Sequence, residues 1–229
     1  MILALEFSAP QRSVAVLSRS ASGQLVVLGR GRDDADRRRK PMQLIESALA
    51  AAKLEPDGVT SLLVGLGPGS YTGVRSAIAI AQGWQLARGV PVAAVSSADA
   101  LAAQAWANGC VGPVAIVIDA QRQEFYLASF NLSAQSIKPV DSLRLVTGAE
   151  VKARVQALGA LVVGPDVLRW FPDARALQPE AESLAAVLPA DGGMVPAEKL
   201  EPIYLREVSF VKAPPPTRGS AAGAQTGTG

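Results

Sequence analysis

Seven consecutive residues, Gly67-Pro68-Gly69-Ser70-Tyr71-Thr72-Gly73, carry the densest chemistry in this chain. A short apolar run, Leu62-Leu63-Val64, leads into them through Gly65, and an apolar-periodic stretch from about Val74 follows. A strand, a glycine-rich turn and a helix in that order aim several backbone N–H groups at one point, with the helix dipole behind them. That arrangement suits an anion. Gly67, Gly69, Ser70, Thr72 and Gly73 are the candidate phosphate contacts, two of them with hydroxyls to add. No Gly-Lys-Ser/Thr follows, so this is not a P-loop, and glycines at 65, 67, 69 and 73 fit no G-x-G-x-x-G frame. The pattern serves equally well as a tight strand-to-helix connection with no ligand.

Two carboxylates stand at comparable places. Glu6 interrupts the apolar run 2–7, and Asp119 ends the apolar run 113–119. A carboxylate at a strand end can hold Mg²⁺ beside a phosphate, or it can simply accept hydrogen bonds from its own turn. The chain contains no histidine, which rules out a Ser-His-Asp triad, a Cys-His pair and any His-ligated metal. Its one cysteine, Cys110, excludes an intramolecular disulfide and suits a reducing compartment.

The elements that must position these groups follow from periodicity. Runs 2–7, 13–18 and 24–28, broken by turns, read as an antiparallel meander. The run 30–40 carries six basic and three acidic residues. It fits a solvated connection or, through Arg37 to Lys40, a contact with a phosphate backbone. Pro41 opens a helix over 41–53. A strand at 62–64, a helix over 74–88, a strand at 90–95 and a helix from Ser97 to about Asn108 complete a βββαβαβα unit.

The layout then begins again, with strands at 113–119, 124–130 and 143–146, a helix at 148–158, a strand at 161–163 and a helix at 180–188. A duplicated unit with a carboxylate closing each first strand describes the α/β duplicated ribonuclease-H-like fold of actin, Hsp70 and the sugar kinases (ASKHA). The second half is the more degenerate one. The expected division is 1–109, 110–212 and a disordered tail at 213–229.

Both helices of the first half are apolar on more than one face. Met42, Ile45, Leu49 and Ala52 share one side of the first with Leu44, Ala48 and Ala51 on another. Val74, Ile78, Ala81 and Gln85 line one stripe of the second, beside Ala77, Ile80, Trp84 and Ala87. Such helices are covered twice, by another layer of the chain or by a partner. Gly83, inside the second helix, costs about 1 kcal/mol against Ala and suggests close packing. With 49% apolar residues, 18% charged residues and a net charge of +2, the composition is that of a soluble globular protein. There is no apolar run of roughly 18 residues and no signal-peptide pattern. A cytoplasmic protein without membrane contact is expected.

Four stretches together resemble the bacterial TsaB (YeaZ) family. They are Gly67 to Arg75 with Ile80-Ala81-Gln82-Gly83 and Val95-Ser96-Ser97; Ile118-Asp119-Ala120 with Glu124-Phe125-Tyr126; Ile2 to Ser8; and Pro202-Ile203-Tyr204-Leu205-Arg206. The resemblance implies a subunit of the tRNA threonylcarbamoyladenosine machinery that performs no chemistry itself. It would pair, through helices of the N-terminal half, with the catalytic subunit TsaD, which modifies adenosine 37 of tRNA. It also implies an ATPase subunit, TsaE, in the same assembly, a homodimer when the chain is alone, and tRNA contact only through the complex. Met42, Ile45, Leu49, Ile78, Ala81 and Gln85 are then the expected partner contacts.

No cofactor is required in this reading, although the fold family admits ATP or ADP with Mg²⁺. The chain departs from the family pattern in three places: Glu6 replaces an Asp, Arg37 to Pro41 lacks the usual His, and Gln121 replaces an Arg. These departures point to relaxed constraint on a nucleotide site. The alternative is a stand-alone ATPase or phosphotransferase using Glu6 and Asp119 with Mg²⁺. A peptidase has neither a triad nor a His metal site to work with.

Overall fold

The computed structural model describes residues 1–205 apart from 22, 34–38 and 190–191. The expected disordered tail, and Arg37 and Arg38 of the basic run, lie outside the described residues.

The first sheet begins as a meander of β1 (Ile2–Glu6), β2 (Ser13–Arg19) and β3 (Leu25–Arg32). It is extended by β4 (Ser61–Gly65) and β5 (Val92–Val95), both parallel to β1. Helices α1 (Pro41–Ala51) and α2 (Tyr71–Arg88) connect these strands, and α3 (Ser97–Ala107) leads from β5 to the second sheet. The second sheet repeats the plan with an antiparallel meander of β6 (Gly112–Asp119), β7 (Glu124–Leu132) and β8 (Ile137–Thr147). After α4 (Gly148–Leu158), β9 (Leu161–Gly164) runs parallel to β6, and β10 (Arg175–Ala176) parallel to β9. The spatial orders are β11-β5-β4-β1-β2-β3 and β10-β9-β6-β7-β8, where β11 is Met194–Val195. This is the duplicated ASKHA-type α/β fold. Among the described residues no helix is long and apolar enough to cross a membrane.

The layers follow from which faces are apolar. One face of the first sheet presents Leu3, Leu5, Val14 and Val16 to α1 and α2. Its other face presents small residues, Ala4, Ala15 and Ala93, to α3 and to the short α5 (Ala181–Leu184). Helix α3 is Ala-rich and buried nearly all round. Ala100 faces the first sheet, while Leu101, Ala102 and Ala105 pack on Ile116 and Phe130 of the second. It is therefore the shared middle layer, and its small side chains let two sheets approach one helix. Helix α4 covers the far face of the second sheet.

After β10 the chain returns to the first half. Helix α5 packs beneath it, and β11 pairs antiparallel with β5. Local departures from the expected elements have local causes. Helix α2 starts at Tyr71 because the Ser70 hydroxyl caps Gly73 N. Strand β8 reaches back to Ile137, with irregular register against β7 that accommodates the edge residues Pro139 and Asp141. The stretch 180–188 is one α-turn followed by a 3₁₀ turn, Ala185–Val187, because Pro189 disfavours helix at Leu188.

Candidate functional site

The glycine loop closes on its own strand end. Ser70 N donates to Ser8 O at 2.6 Å, Gly67 N to Ser97 Oγ at 3.1 Å and Gly73 N to Ser70 Oγ at 3.2 Å. A Cβ on Gly69 would stand 2.1 Å from Ser8 O, and one on Gly73 would stand 1.9 Å from Phe7 O. The glycines therefore let the loop and the first turn of α2 lie directly on the backbone of residues 7 and 8. The N–H groups of Gly67, Ser70 and Gly73 already have acceptors within the chain, Gly69 sits against a carbonyl, and Thr72 lies on the exposed side of α2.

Glu6 belongs to the same construction. It is fully buried, with Oε1 accepting from Ser8 N and Oε2 from Ser97 Oγ, each at 2.7 Å. The Ser97 hydroxyl thus donates to Glu6 and accepts from Gly67, tying the ends of β1 and β4 to the start of α3. Burial pushes the Glu6 carboxyl above its ordinary value of 4.5, and the hydrogen bonds from Ser8 and Ser97 do not cancel it. With no surface in solvent, Glu6 braces the ends of β1 and β4 against the start of α3.

Asp119 is elsewhere, at the tip of the β6–β7 hairpin. Its Oδ1 accepts from Gln121 N at 2.8 Å and its Oδ2 from Gln121 Nε2 at 3.2 Å, which closes a turn through left-handed Gln121, Arg122 and Gln123. Gln121 thus shapes this turn through both its backbone and its side chain. Among the described residues no three His, Cys, Asp or Glu side chains gather to hold a metal ion.

The residues expected to meet a partner are redistributed. Ile45, Leu49, Ile78 and Ala81 are buried in the core over the first sheet. Gln85 points to the chain's own C-terminal segment, accepting from Ala197 N at 2.9 Å. Of the six, only Met42 is free, with half of it exposed (50%). On α2 the side against the sheet carries Gly73, Val74, Ala77, Ile78 and Ala81, while Ile80 and Trp84 are half-buried and Leu86 is exposed. What α2 turns to solvent is Tyr71, Thr72, Arg75, Ala79, Gly83, Leu86, Ala87 and Arg88, of which Thr72, Arg75, Ala79, Gly83 and Leu86 follow one another about one turn apart. Leu86 is 90% exposed, and a Cβ on Gly83 would touch nothing. The sequence signal for this face was Gly83, a helix-interior glycine that no packing inside the chain requires.

A second feature escaped the sequence reading. Arg12 and Asp33 form a buried ion pair, Nε to Oδ2 at 2.7 Å and Nη2 to Oδ1 at 3.1 Å. Asp33 also accepts from Arg39 N at 2.8 Å, and Arg12 donates to Arg39 O. The pair fastens both ends of the charged connection that enters α1. Burial alone would raise the Asp33 carboxyl, but the Arg12 hydrogen bonds and charge, with Arg39 N, bring it below its ordinary 3.8.

The family model for TsaD, tRNA N6-adenosine threonylcarbamoyltransferase, matches residues 36–152. The chain is 30% identical over 190 residues to the tRNA threonylcarbamoyladenosine biosynthesis protein TsaB of Escherichia coli, covering 76% of this chain and 82% of that protein. It is 32% identical over 127 residues to TsaB of Haemophilus influenzae, covering 56% of this chain and 52% of that one. Among solved structures, YeaZ from Pseudomonas aeruginosa superposes with a TM-score of 0.73 at 27% identity, covering 89% of this chain and 99% of that one.

Proposed function

The chain belongs to the TsaB (YeaZ) family of tRNA threonylcarbamoyladenosine biosynthesis proteins, and on that premise we propose that it is a non-catalytic activating subunit. It pairs with a TsaD-type catalytic subunit, which carries out the N6-threonylcarbamoylation of adenosine 37. A TsaE-type ATPase joins the pair in the cytoplasm. tRNA reaches this chain only through the assembly, and two copies of the chain pair when the catalytic subunit is absent.

The observation that carries the reading is the solvent face of α2. Leu86 stands almost wholly in water beside the open backbone at Gly83 and the small side chain of Ala79. Covering a leucine side chain is worth about 1.5–3 kcal/mol, and small neighbours allow a second helix to come close. The chemistry-bearing groups, by contrast, are turned inward: Glu6 braces the loop and Asp119 closes a turn. The stand-alone ATPase therefore draws no support from them.

Reconstitution tests the proposal. TsaD-dependent threonylcarbamoylation of tRNA, followed by mass spectrometry of the nucleosides, should require this chain, and Leu86→Asp should abolish both pairing and stimulation. Full activity of the catalytic subunit without the chain would refute it.

A further inference from the structure

A cleft of about 580 Å³ runs beside the first half of α2. One wall is α2, with Tyr71, Arg75 and Ala79; the other is the C-terminal segment, with Leu200, Glu201 and Pro202. That segment is fastened. Gln82 Nε2 donates to Ala197 O at 3.0 Å, Ala197 N donates to Gln85 Oε1 at 2.9 Å, and Ile203 N donates to Leu66 O at 2.9 Å. Tyr204 then stacks on Tyr71, with ring centroids 5.1 Å apart and planes 26° from parallel.

At the mouth of this cleft Arg75 is held in place but not neutralised. Its guanidinium lies over the Tyr71 ring at 5.1 Å and donates through Nη1 to the Tyr71 hydroxyl at 2.8 Å. It forms no ion pair among the described residues. Tyr71 is itself fixed by Tyr204, so the side-chain entropy that usually opposes an exposed ion pair is already reduced. The remaining N–H donors of the guanidinium are arranged for a carboxylate. Glu201 on the opposite wall repels a polyanion such as an RNA strand, with a charge on every phosphate, more than it repels a single side-chain carboxylate. Ala79 belongs both to the cleft and to the exposed stripe of α2, so the two form one continuous surface.

We propose that this cleft seats a carboxylate-bearing side chain of the catalytic subunit, with Arg75 as its counter-ion and the Tyr71–Tyr204 stack as its support. The inference rests on the pairing reading and deepens it. Partner recognition then uses a wall supplied by the C-terminal segment as well as α2, so both parts of the chain must be assembled before the subunit can bind.

Isothermal titration of the full chain against the TsaD-type subunit tests the inference. Arg75→Glu should weaken pairing by about tenfold or more, and Arg75→Lys by less, as expected for a preorganised charge pair. The wild-type affinity should fall with added salt while that of Arg75→Glu does not. Pro202→Glu, which places a like charge on the other wall without touching α2, should also weaken pairing; because it acts from the opposite side, it provides an independent check. Wild-type affinity in both Arg75→Glu and Pro202→Glu, with pairing lost in Leu86→Asp, would overturn the cleft and leave the α2 face standing. Normal pairing in all three would overturn the pairing reading itself. Unchanged pairing accompanied by loss of tRNA from the complex would also overturn the proposal, by assigning the cleft to phosphate.

Discussion

Replacing Gly83 by alanine separates what α2 needs for its own stability from what a partner needs of it. Gly83 lies in the thirteenth position of an 18-residue helix, with ordinary helical backbone and nothing within 4 Å of where a Cβ would stand. Within the isolated chain, alanine therefore gains helix propensity and meets no clash. The expected stabilisation is about 0.8–1.0 kcal/mol, or roughly 2–4 °C in Tm for a chain of this size. Against a partner helix the same methyl group is an intrusion. Overpacking of one methyl typically costs about 1–3 kcal/mol, which corresponds to roughly a 5- to 150-fold weaker complex.

The assays are urea unfolding of the isolated chain, at concentrations below self-association, and titration with the catalytic subunit. Stability should rise and affinity should fall. A variant that is more stable and pairs normally would refute close approach at Gly83, and with it the α2 docking face. A variant that is less stable would refute the placement of Gly83 on an open surface.

Other expectations follow from the buried polar groups and the loop. Gly73→Ala drives a Cβ to 1.9 Å from Phe7 O, so unfolding experiments should show a loss of roughly 3–5 kcal/mol or no folded protein. Arg12→Ala leaves the buried Asp33 without its partner and should cost about 3–5 kcal/mol in denaturant unfolding, whereas a loss below 1 kcal/mol would mean that water reaches Asp33. Asp33 sits below its ordinary 3.8 when folded, so its contribution is present above that value and is lost as pH falls through the lowered one; Asp33→Asn should remove this acid sensitivity. Glu6 has the opposite sign. Its folded carboxyl is raised above 4.5, so acid favours folding at this position, fully so below 4.5, and the benefit is lost as pH rises through the raised value. Glu6→Gln should flatten that part of the stability–pH curve, and an unchanged curve would show that Glu6 is ionised without penalty.

Much of the architecture was legible in the residues. Alternating and continuous apolar runs located the strands, the repeated layout disclosed the duplication, and the absence of histidine removed whole classes of catalysis. The composition of Gly67 to Gly73 marked a place where a helix had to start very close to other backbone. These are local properties, set by φ/ψ preference, side-chain periodicity and the atoms a residue type possesses.

Tertiary structure decided what the local properties left degenerate. Whether the loop's N–H groups face a ligand depended on the Ser8 carbonyl, and whether Glu6 meets solvent depended on Ser97, 91 residues away. Neither contact has a sequence pattern of its own. In the same way, apolar residues on more than one face of a helix do not say which stripe is buried. The sheet selected Ile45, Leu49, Ile78 and Ala81 by the fit of their volumes and left Gly83 and Leu86 outside. Hydrogen-bond satisfaction and close packing are properties of assembled neighbours, so only the folded chain showed that the glycine loop braces its own strand end and that Ile45, Leu49, Ile78 and Ala81 lie in the core.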